Sequence, residues 1–282
     1  MFSPMLSGGA AIGNITMCED DKYHLLLKPQ PAQIKVFGER HTGTRAVIRM
    51  LYDHSRQRQG FTGAGQGGQK RRWKKGFDKE LYKDAIEDIR RRNYGGVSAW
   101  KHAAPMIDGS YAAQKRAVLF LVRDPYSWMV SFHRKPYHAR APVPQMSAFL
   151  QQPWPSVQRD NVAAVLPSPM ALWTEKLRAY RAFLQAKPVP AGVLHFEDFV
   201  LDPVAALGAA MADLGVDPKG LRTLARPTKS WGLSEVERVV HYKSEAWRAS
   251  LSPAAASQIT DLVDWEVAAY FGYSRREQQE FS

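Results

Sequence analysis

Short apolar runs along the chain predict three buried strands. Residues 118–122, Val-Leu-Phe-Leu-Val, are apolar throughout, whereas residues 34–37 and 193–196 each contain one polar position. A continuous apolar run of this length is typical of a strand that is buried on both faces of a parallel sheet. A fourth short strand is predicted over residues 97–102, which end in two basic residues.

Segments with apolar residues at helical spacing lie between these strands. Helices are predicted to begin near residues 46, 78, 125, 170, 203 and 253, and the last of them to reach Tyr270. Because strands and helices alternate, we expect right-handed βαβ units. The predicted fold class is α/β, with a three-layer, mainly parallel sheet flanked by helices. In the helix that begins at Asp78, the apolar residues of one face are Leu81, Ala85, Ile86 and Ile89.

Three segments lie outside this pattern. Residues 1–33 have neither the basic start nor the continuous apolar run of a signal peptide, and we expect them to be a loosely ordered lead-in. Residues 55–76 are rich in Gly, Gln, Lys and Arg and are expected to form a flexible basic loop. A single α/β domain is therefore predicted over residues 34–273, followed by a C-terminal tail over residues 274–282.

Composition and cysteine content indicate the cellular compartment in which the chain works. No stretch approaches the ~20 apolar residues that a membrane-spanning helix requires. Cys18 is the only cysteine, so no internal disulfide can form, and no Cys/His cluster has the spacing of a zinc site. These features predict a cytoplasmic protein without a transmembrane segment.

The charge of the chain points to an anionic partner. There are 39 Lys and Arg residues against 27 Asp and Glu residues, a formal net charge of +12. Net charge alone does not distinguish a nucleic acid, an acidic membrane surface, an acidic glycan or a nucleotide. Local motifs have to make that distinction.

A glycine-containing loop lies between the first predicted strand and its helix. Gly38 and Gly43 have the spacing of a P-loop, whose backbone amides and following helix N-terminus can bind an anion. Thr44 and Arg45 occupy the positions where an NTPase carries its Lys and Ser/Thr. The cations of this loop are instead Arg40, His41 and Arg45, which could hold a terminal phosphate or sulfate without a metal. The same glycines also suit a simple tight connection between strand and helix.

Residues 41–45, His-Thr-Gly-Thr-Arg, resemble the 5′-phosphosulfate loop of the sulfotransferases that use 3′-phosphoadenosine 5′-phosphosulfate (PAPS). In that family the loop reads Lys-Ser/Thr-Gly-Thr-Thr between a strand and a helix. His41 takes the position of the family's lysine, and Arg40 or Arg45 could supply the charge of that lysine instead. The resemblance implies that His41, Thr42, Gly43, Thr44 and Arg45, together with Arg40, bind the donor.

A second motif resembles the family's site for the 3′-phosphate. Arg123 and Ser131 are eight residues apart and span the end of a strand and the start of a helix, with an Asp-Pro step between them. An Arg at the carboxyl edge of a strand and a hydroxyl two helical turns away can converge on one phosphate. A strand-ending Arg followed by an unrelated helical Ser is the other interpretation.

The resemblance also implies a catalytic base. The family uses a histidine ahead of a proline, at the end of a strand, to take the proton of the acceptor hydroxyl, and His102 precedes Pro105 in this way. A histidine suits this role because its pKa lies near working pH. Lys101 is a nearby cation. The implied catalytic residues are His102, Arg40 and His41, although a lone histidine is more often a packed or solvated residue.

The C-terminal part resembles the family's segment that closes over the nucleotide, with a departure in spacing. Trp231 or Tyr242 could stack on the adenine, and Lys243 could reach a phosphate. The alternative is a surface loop with one packed Trp.

Taken together, the motifs predict a P-loop NTPase-like sulfotransferase that uses PAPS as donor co-substrate and needs no metal. The acceptor would carry a hydroxyl, and the basic loop favours an anionic carbohydrate, with a lipid or a small alcohol left open. One alternative is a P-loop kinase or NTPase, in which Asp124 would bind Mg²⁺. Another is a nucleic-acid-binding protein that uses the cations and Trp73 of residues 69–75.

Overall fold

A computed structural model of the 282-residue chain describes residues 33–58, 77–137, 143–224 and 234–281. The predicted lead-in lies outside these residues except for Gln33, and residues 59–76 of the predicted basic loop lie outside them as well. Trp231, one of the two candidates for adenine stacking, is also outside the described part of the chain.

The described residues form a mixed α/β structure in which helices flank a small parallel sheet. Its strands are β1 (Gln33–Gly38), β2 (Arg116–Val122) and β5 (Ala191–His195), and the short pair β3 (Trp154–Pro155) and β4 (Val165–Leu166) forms a separate antiparallel ladder. The helices, in chain order, are α1 (Thr44–Arg58), α2 (Phe77–Tyr94), α3 (Ser110–Ala113), α4 (Pro125–Arg134), α5 (Met146–Leu150), α6 (Pro169–Ala186), α7 (Phe196–Leu201), α8 (Pro203–Asp213), α9 (Glu235–Lys243), α10 (Pro253–Leu262) and α11 (Trp265–Tyr270).

The central position of strand β2 explains why its residues are almost all apolar. It pairs in parallel with β1 on one side and with β5 on the other, and Leu119 lies opposite Val36. Phe120 faces a core built largely from α4 and α6, while Leu121 faces a second core built from α1 and α8. Because the three strands are parallel, the loops that follow β1 and β2 leave the same edge of the sheet.

Four helices begin with the same two-residue signal. In each, an Asp or Ser caps the helix by accepting a hydrogen bond from a first-turn amide, and the next residue is a proline, which suits the first helical position. The cap oxygens lie 2.8–3.2 Å from the amide nitrogens they bind. The capping residues are Asp124, Ser168, Asp202 and Ser252.

Two predicted elements are wrong. Residues 97–102 do not form a strand: Gly96–Ser98 is a 3₁₀ helix, and a turn over residues 100–103 follows it. The predicted last helix is divided into α10 and α11, because Val263 is extended and Asp264 caps the second helix by accepting from Val267 N at 3.2 Å.

Helix α2 packs with its polar face inward. Asp84 and Glu87 are buried, whereas Leu81 and Ile89 of the apolar face are 53% and 54% exposed. Asp84 Oδ1 accepts a hydrogen bond from Arg159 Nη1 at 2.7 Å, which explains why this carboxylate faces the interior. The orientation is the reverse of what an amphipathic pattern ordinarily produces.

The residues after the last helix return to the domain. The Phe281 ring lies 5.2 Å from the ring of Tyr126, and Arg276 pairs with Glu245 at 2.6 Å. Among the helices of the described ranges, none is both long enough and apolar enough to cross a bilayer.

Candidate functional site

The β1–α1 loop, residues 38–45, leaves the sheet at Gly38 and turns sharply into α1. His41 and Gly43 have φ angles of 69° and 82°, in the left-handed region that glycine enters without strain. A Cβ on Gly38 would lie 2.7 Å from Thr42 Oγ1. The backbone is therefore packed too closely at this point for any side chain.

The N-terminus of α1 places partial positive charge next to the loop. The Gly43 carbonyl accepts from Ala46 N at 2.9 Å and from Val47 N at 3.2 Å, so Gly43 holds the position before the first helical residue. The amide of Thr44, in the first turn, has no acceptor within the helix, as at every helix N-terminus. The partial positive charge of this 15-residue helix is directed at the loop.

Arg123 lies at the carboxyl end of β2 and contacts the β1–α1 loop directly. Its side chain is 1% exposed, and Nη1 donates to the carbonyl of His41 at 2.7 Å. Nε donates to Ser127 Oγ at 2.9 Å. The guanidinium lies 4.2 Å from the ring centroid of Phe196 and 5.3 Å from that of Tyr242. Two segments that are 82 residues apart in sequence therefore meet at one edge of the sheet.

His102 is tied to the first residue of the same loop. Its Nδ1 lies 2.6 Å from the carbonyl oxygen of Gly38, and Gly38 N donates to the carbonyl of Lys101 at 2.9 Å. Because a carbonyl only accepts, Nδ1 carries the hydrogen, and Nε2 is left with a lone pair when the ring is neutral. Burial, followed by the positive charges of Lys101 and Arg40, lowers the pKa of His102 well below 6.5. The imidazole is therefore neutral at pH 7 and can accept a proton at Nε2.

Arg40 lies beneath the loop, among carboxylates and aromatic rings. It is 3% exposed, and its Nη1 lies 3.3 Å from Glu39 Oε1 and 3.5 Å from Asp160 Oδ1. The guanidinium lies 4.6 Å from the ring centroids of both Trp100 and Tyr137. Arg40 is thus held inside the protein, where its charge is balanced by carboxylates.

The two other loop cations lie closer to the surface. His41 and Arg45 are both half-buried, and His41 Nε2 lies 3.2 Å from the carbonyl oxygen of Lys135. The His41 ring also lies 5.5 Å from the ring of Tyr137. These two side chains occupy the turn itself and the first turn of α1.

The remaining candidates are distributed between two helices. Ser131 is buried on α4, while Lys243 is exposed at the last residue of α9. Tyr242 is half-buried on α9, and Arg123 Nη2 donates to its hydroxyl at 3.4 Å. Of these three residues, Tyr242 contacts the Arg123 side chain.

Several residues at this site had not been singled out from the sequence. The sequence predicts Phe196 at the end of a strand, whereas in the structure it is the first residue of α7, and its ring packs against Arg123. Lys176 is 0% exposed and donates to the carbonyl oxygens of His102 and Asp160, both at 2.6 Å. No local pattern marks such residues, because their partners are far away in the sequence. Within the described residues, no group of three or more His, Cys, Asp or Glu side chains could hold a metal ion.

An open cavity of about 530 Å³ adjoins the segment that follows His102. Asn161 lines it and donates from Nδ2 to the carbonyl of Ala104 at 3.0 Å. Arg91, on α2, donates to Asn161 Oδ1 at 3.3 Å. Four of its six lining residues have polar side chains, and the lining consists of Arg91, Ser156, Gln158, Asn161, Val162 and Ala164.

No model of a known protein family matches the chain, and no curated protein matches it in sequence.

Proposed function

We propose that the chain is a PAPS-dependent sulfotransferase with a P-loop NTPase-like sulfotransferase fold. The observation that carries the proposal is the convergence of two of the motifs on the third, the β1–α1 loop. Arg123 Nη1 reaches the carbonyl of His41 at 2.7 Å, and His102 Nδ1 reaches that of Gly38 at 2.6 Å. The resemblance in sequence implies that the three motifs serve one donor site, and these two contacts support the proposal.

The β1–α1 loop would hold the 5′-phosphosulfate of the donor. The first-turn amide of Thr44 and the N-terminal charge of α1 are suited to an anion. His41 and Arg45 would supply side-chain cations, since both are at least partly accessible. Arg40 would act from below the loop, because its guanidinium is already paired with Glu39 and Asp160.

Arg123 would bind the 3′-phosphate. Its donors now bind protein acceptors, of which the Tyr242 hydroxyl is the most distant at 3.4 Å. A phosphate oxygen would replace this hydroxyl, because an anionic oxygen is a stronger acceptor for the guanidinium than a neutral hydroxyl oxygen. Tyr242 and Phe196, whose rings lie 5.0 Å apart beside the guanidinium, would then contribute their rings to the nucleotide site.

His102 would act as the base. Nε2 would take the proton of the acceptor hydroxyl while the hydroxyl oxygen attacks sulfur, and the bond between sulfur and the phosphate oxygen would break. The products are a sulfate ester and adenosine 3′,5′-bisphosphate. The lowered pKa of His102 keeps the base neutral, and the cations of the loop offset the charge that develops on the leaving phosphate.

Transfer of labelled sulfate from PAPS to a panel of glycans, lipids and phenols tests this function. We expect transfer by the wild-type protein and a loss of about 10² to 10⁴-fold in kcat for His102→Asn. The Asn amide can still donate to the Gly38 carbonyl, so the variant removes the base and keeps the hydrogen bond.

The matched control is His54→Gln. His54 is a buried histidine on α1 whose Nε2 lies 3.2 Å from the carbonyl oxygen of Lys219, away from the site. This variant should retain the wild-type rate. Full activity of His102→Asn would remove His102 from the role of base, and an absence of transfer to every acceptor would count against the proposed function.

A further inference from the structure

Four charged side chains form a buried cluster beneath the β1–α1 loop. Glu39, Arg40, Asp160 and Lys176 are each 3% exposed or less. The two cations and two carboxylates balance in charge. Arg40 Nη1 and Lys176 Nζ lie 3.5 Å and 3.3 Å from the same oxygen, Asp160 Oδ1. We call these four residues the buried charge cluster.

The cluster joins segments that are far apart in the chain. Glu39 and Arg40 belong to the β1–α1 loop, Asp160 ends the 3₁₀ helix Gln158–Asp160, and Lys176 lies in the middle of α6. Lys176 Nζ donates to the carbonyls of His102 and Asp160 at 2.6 Å each. The Asp160 carbonyl also accepts from Ala104 N at 2.8 Å, so the turn that carries His102 is held at that residue and again at Ala104.

Stability alone does not explain why these four charges are buried. Well-packed apolar residues of similar volume are often as stable as a buried ion pair, so burial of four charges is weak evidence for a role in stability. Glu39 Oε2 has no hydrogen-bond partner and lies 3.9 Å from Lys176 Nζ. Lys176 is fully buried and cannot touch a substrate, so any role in the chemistry must act through other residues.

We propose that Lys176 is a positioning residue that fixes His102, through its backbone carbonyl, against the carbonyl of Gly38. The role of His102 as base rests on the proposed function, whereas the positioning itself does not. With the carbonyl held by Lys176 and Nδ1 held by Gly38, the imidazole is fixed in the tautomer that leaves Nε2 unprotonated.

The tautomer can be read from the ¹⁵N spectrum of the histidine ring at pH 7.5. We expect wild-type His102 to be entirely the Nδ1–H tautomer. In Lys176→Met, which removes the donor and keeps the length of the side chain, we expect loss of the single tautomer. The control is Arg181→Met on the same helix, which breaks the surface pair with Glu266 and should leave the His102 signals unchanged.

Lys176→Met by itself removes one positive charge from a buried cluster, so a second variant that keeps the charges balanced is needed. The double substitution Glu39→Gln with Lys176→Met removes one charge of each sign and keeps the pair of Arg40 and Asp160. We expect it to fold and to lose the single tautomer as well. A wild-type tautomer in either folded variant would overturn the proposal, and so would an Nε2–H tautomer in the wild-type protein. Failure of both variants to fold would assign the cluster to stability and overturn the positioning role.

Activity gives a separate readout. In the sulfate-transfer assay, Lys176→Met should lower kcat about 100-fold, the scale expected when a catalytic group is misplaced by about 1 Å, while KM changes little. If the wild-type protein transfers no sulfate, the proposed function fails, and the ¹⁵N spectra still decide the role of Lys176.

Discussion

His102 contacts the β1–α1 loop and Arg40 belongs to it, and their surroundings give the two residues different chemistry. The hydrogen bond from Nδ1 to Gly38 and the lowered pKa leave His102 with an available lone pair at Nε2. Arg40 has its charge balanced by Glu39 and Asp160, and rings cover its guanidinium. A loop sequence with three cations gives no indication of which side chain faces inward, because the carboxylate of Asp160 comes from a distant segment.

The pKa of His102 predicts a loss of stability in acid. Because the folded state disfavours the charged imidazole, the unfolded chain binds more protons below the ordinary pKa of 6.5, and stability falls as pH falls. Between pH 6.5 and 5, the free energy of unfolding should fall more steeply in the wild-type protein than in His102→Asn, by up to about 1.4 kcal/mol per pH unit.

Urea unfolding at several pH values measures this difference. Other titrating groups cancel in the comparison, among them Asp124, whose pKa burial raises to about 6. Above pH 6.5 the two stability profiles should run parallel. Identical slopes in acid would show that His102 takes up its proton as easily in the folded as in the unfolded chain.

Close packing at Gly38 predicts that a single added methyl group destabilises the protein. An added Cβ would lie 2.8 Å from Leu121 Cβ, which is fixed to the backbone of the central strand and cannot move aside. Gly38→Ala should therefore lower the free energy of unfolding by about 1–3 kcal/mol. Gly208→Ala, inside α8 with its nearest contact at 3.6 Å, should raise it by about 0.5–1 kcal/mol. Equal stability of the two variants would contradict the packing described here.

Among the elements, those with a local signal could be predicted from the sequence. The apolar run of β2 and the predicted starts of α4, α8 and α10 are confirmed. The strand predicted over residues 97–102 is wrong because its backbone makes bonds that no local pattern encodes, such as Trp100 N to Glu87 Oε1. The end of α10 could have been found, since Asp264 has the position of a helix cap.

Helix α2 shows how tertiary contacts override periodicity. The sequence places apolar residues on one face, but the buried carboxylate of Asp84 binds Arg159, which is itself buried. We expect Asp84→Ala to cost about 3 kcal/mol, because it leaves a buried charge with fewer partners. Leu81→Ala, at a position that is 53% exposed, should change stability by less than about 0.5 kcal/mol.

Urea unfolding of both variants separates the two interpretations of α2. If the helix buried its apolar face, Leu81→Ala would be the more damaging substitution. A larger cost for Leu81→Ala than for Asp84→Ala would therefore contradict the observed orientation.

For the molecule as a whole, the structure shows how individual cations relate to the net charge of +12, which from the sequence indicated only an anionic partner. Arg159 and Lys176 are buried against carboxylates that cancel their charge, whereas Arg123 binds backbone carbonyls, which carry no formal charge. The parallel order of β1, β2 and β5 brings the β1–α1 loop and Arg123 to one edge of the sheet. That meeting depends on the fold, so it could be expected from the sequence only once the strands were assumed to be neighbours.

The central claim is that this edge of the sheet binds a nucleotide with a 3′-phosphate and needs no metal. Calorimetric titration with adenosine 3′,5′-bisphosphate in EDTA tests it most directly, with Arg123→Lys as the matched variant, because Lys keeps the charge and loses the planar set of donors. We predict saturable binding by the wild-type protein, weakened at least about tenfold in Arg123→Lys, and much weaker binding of ADP. Tight binding of Mg-ATP with no preference for a 3′-phosphate would contradict the account.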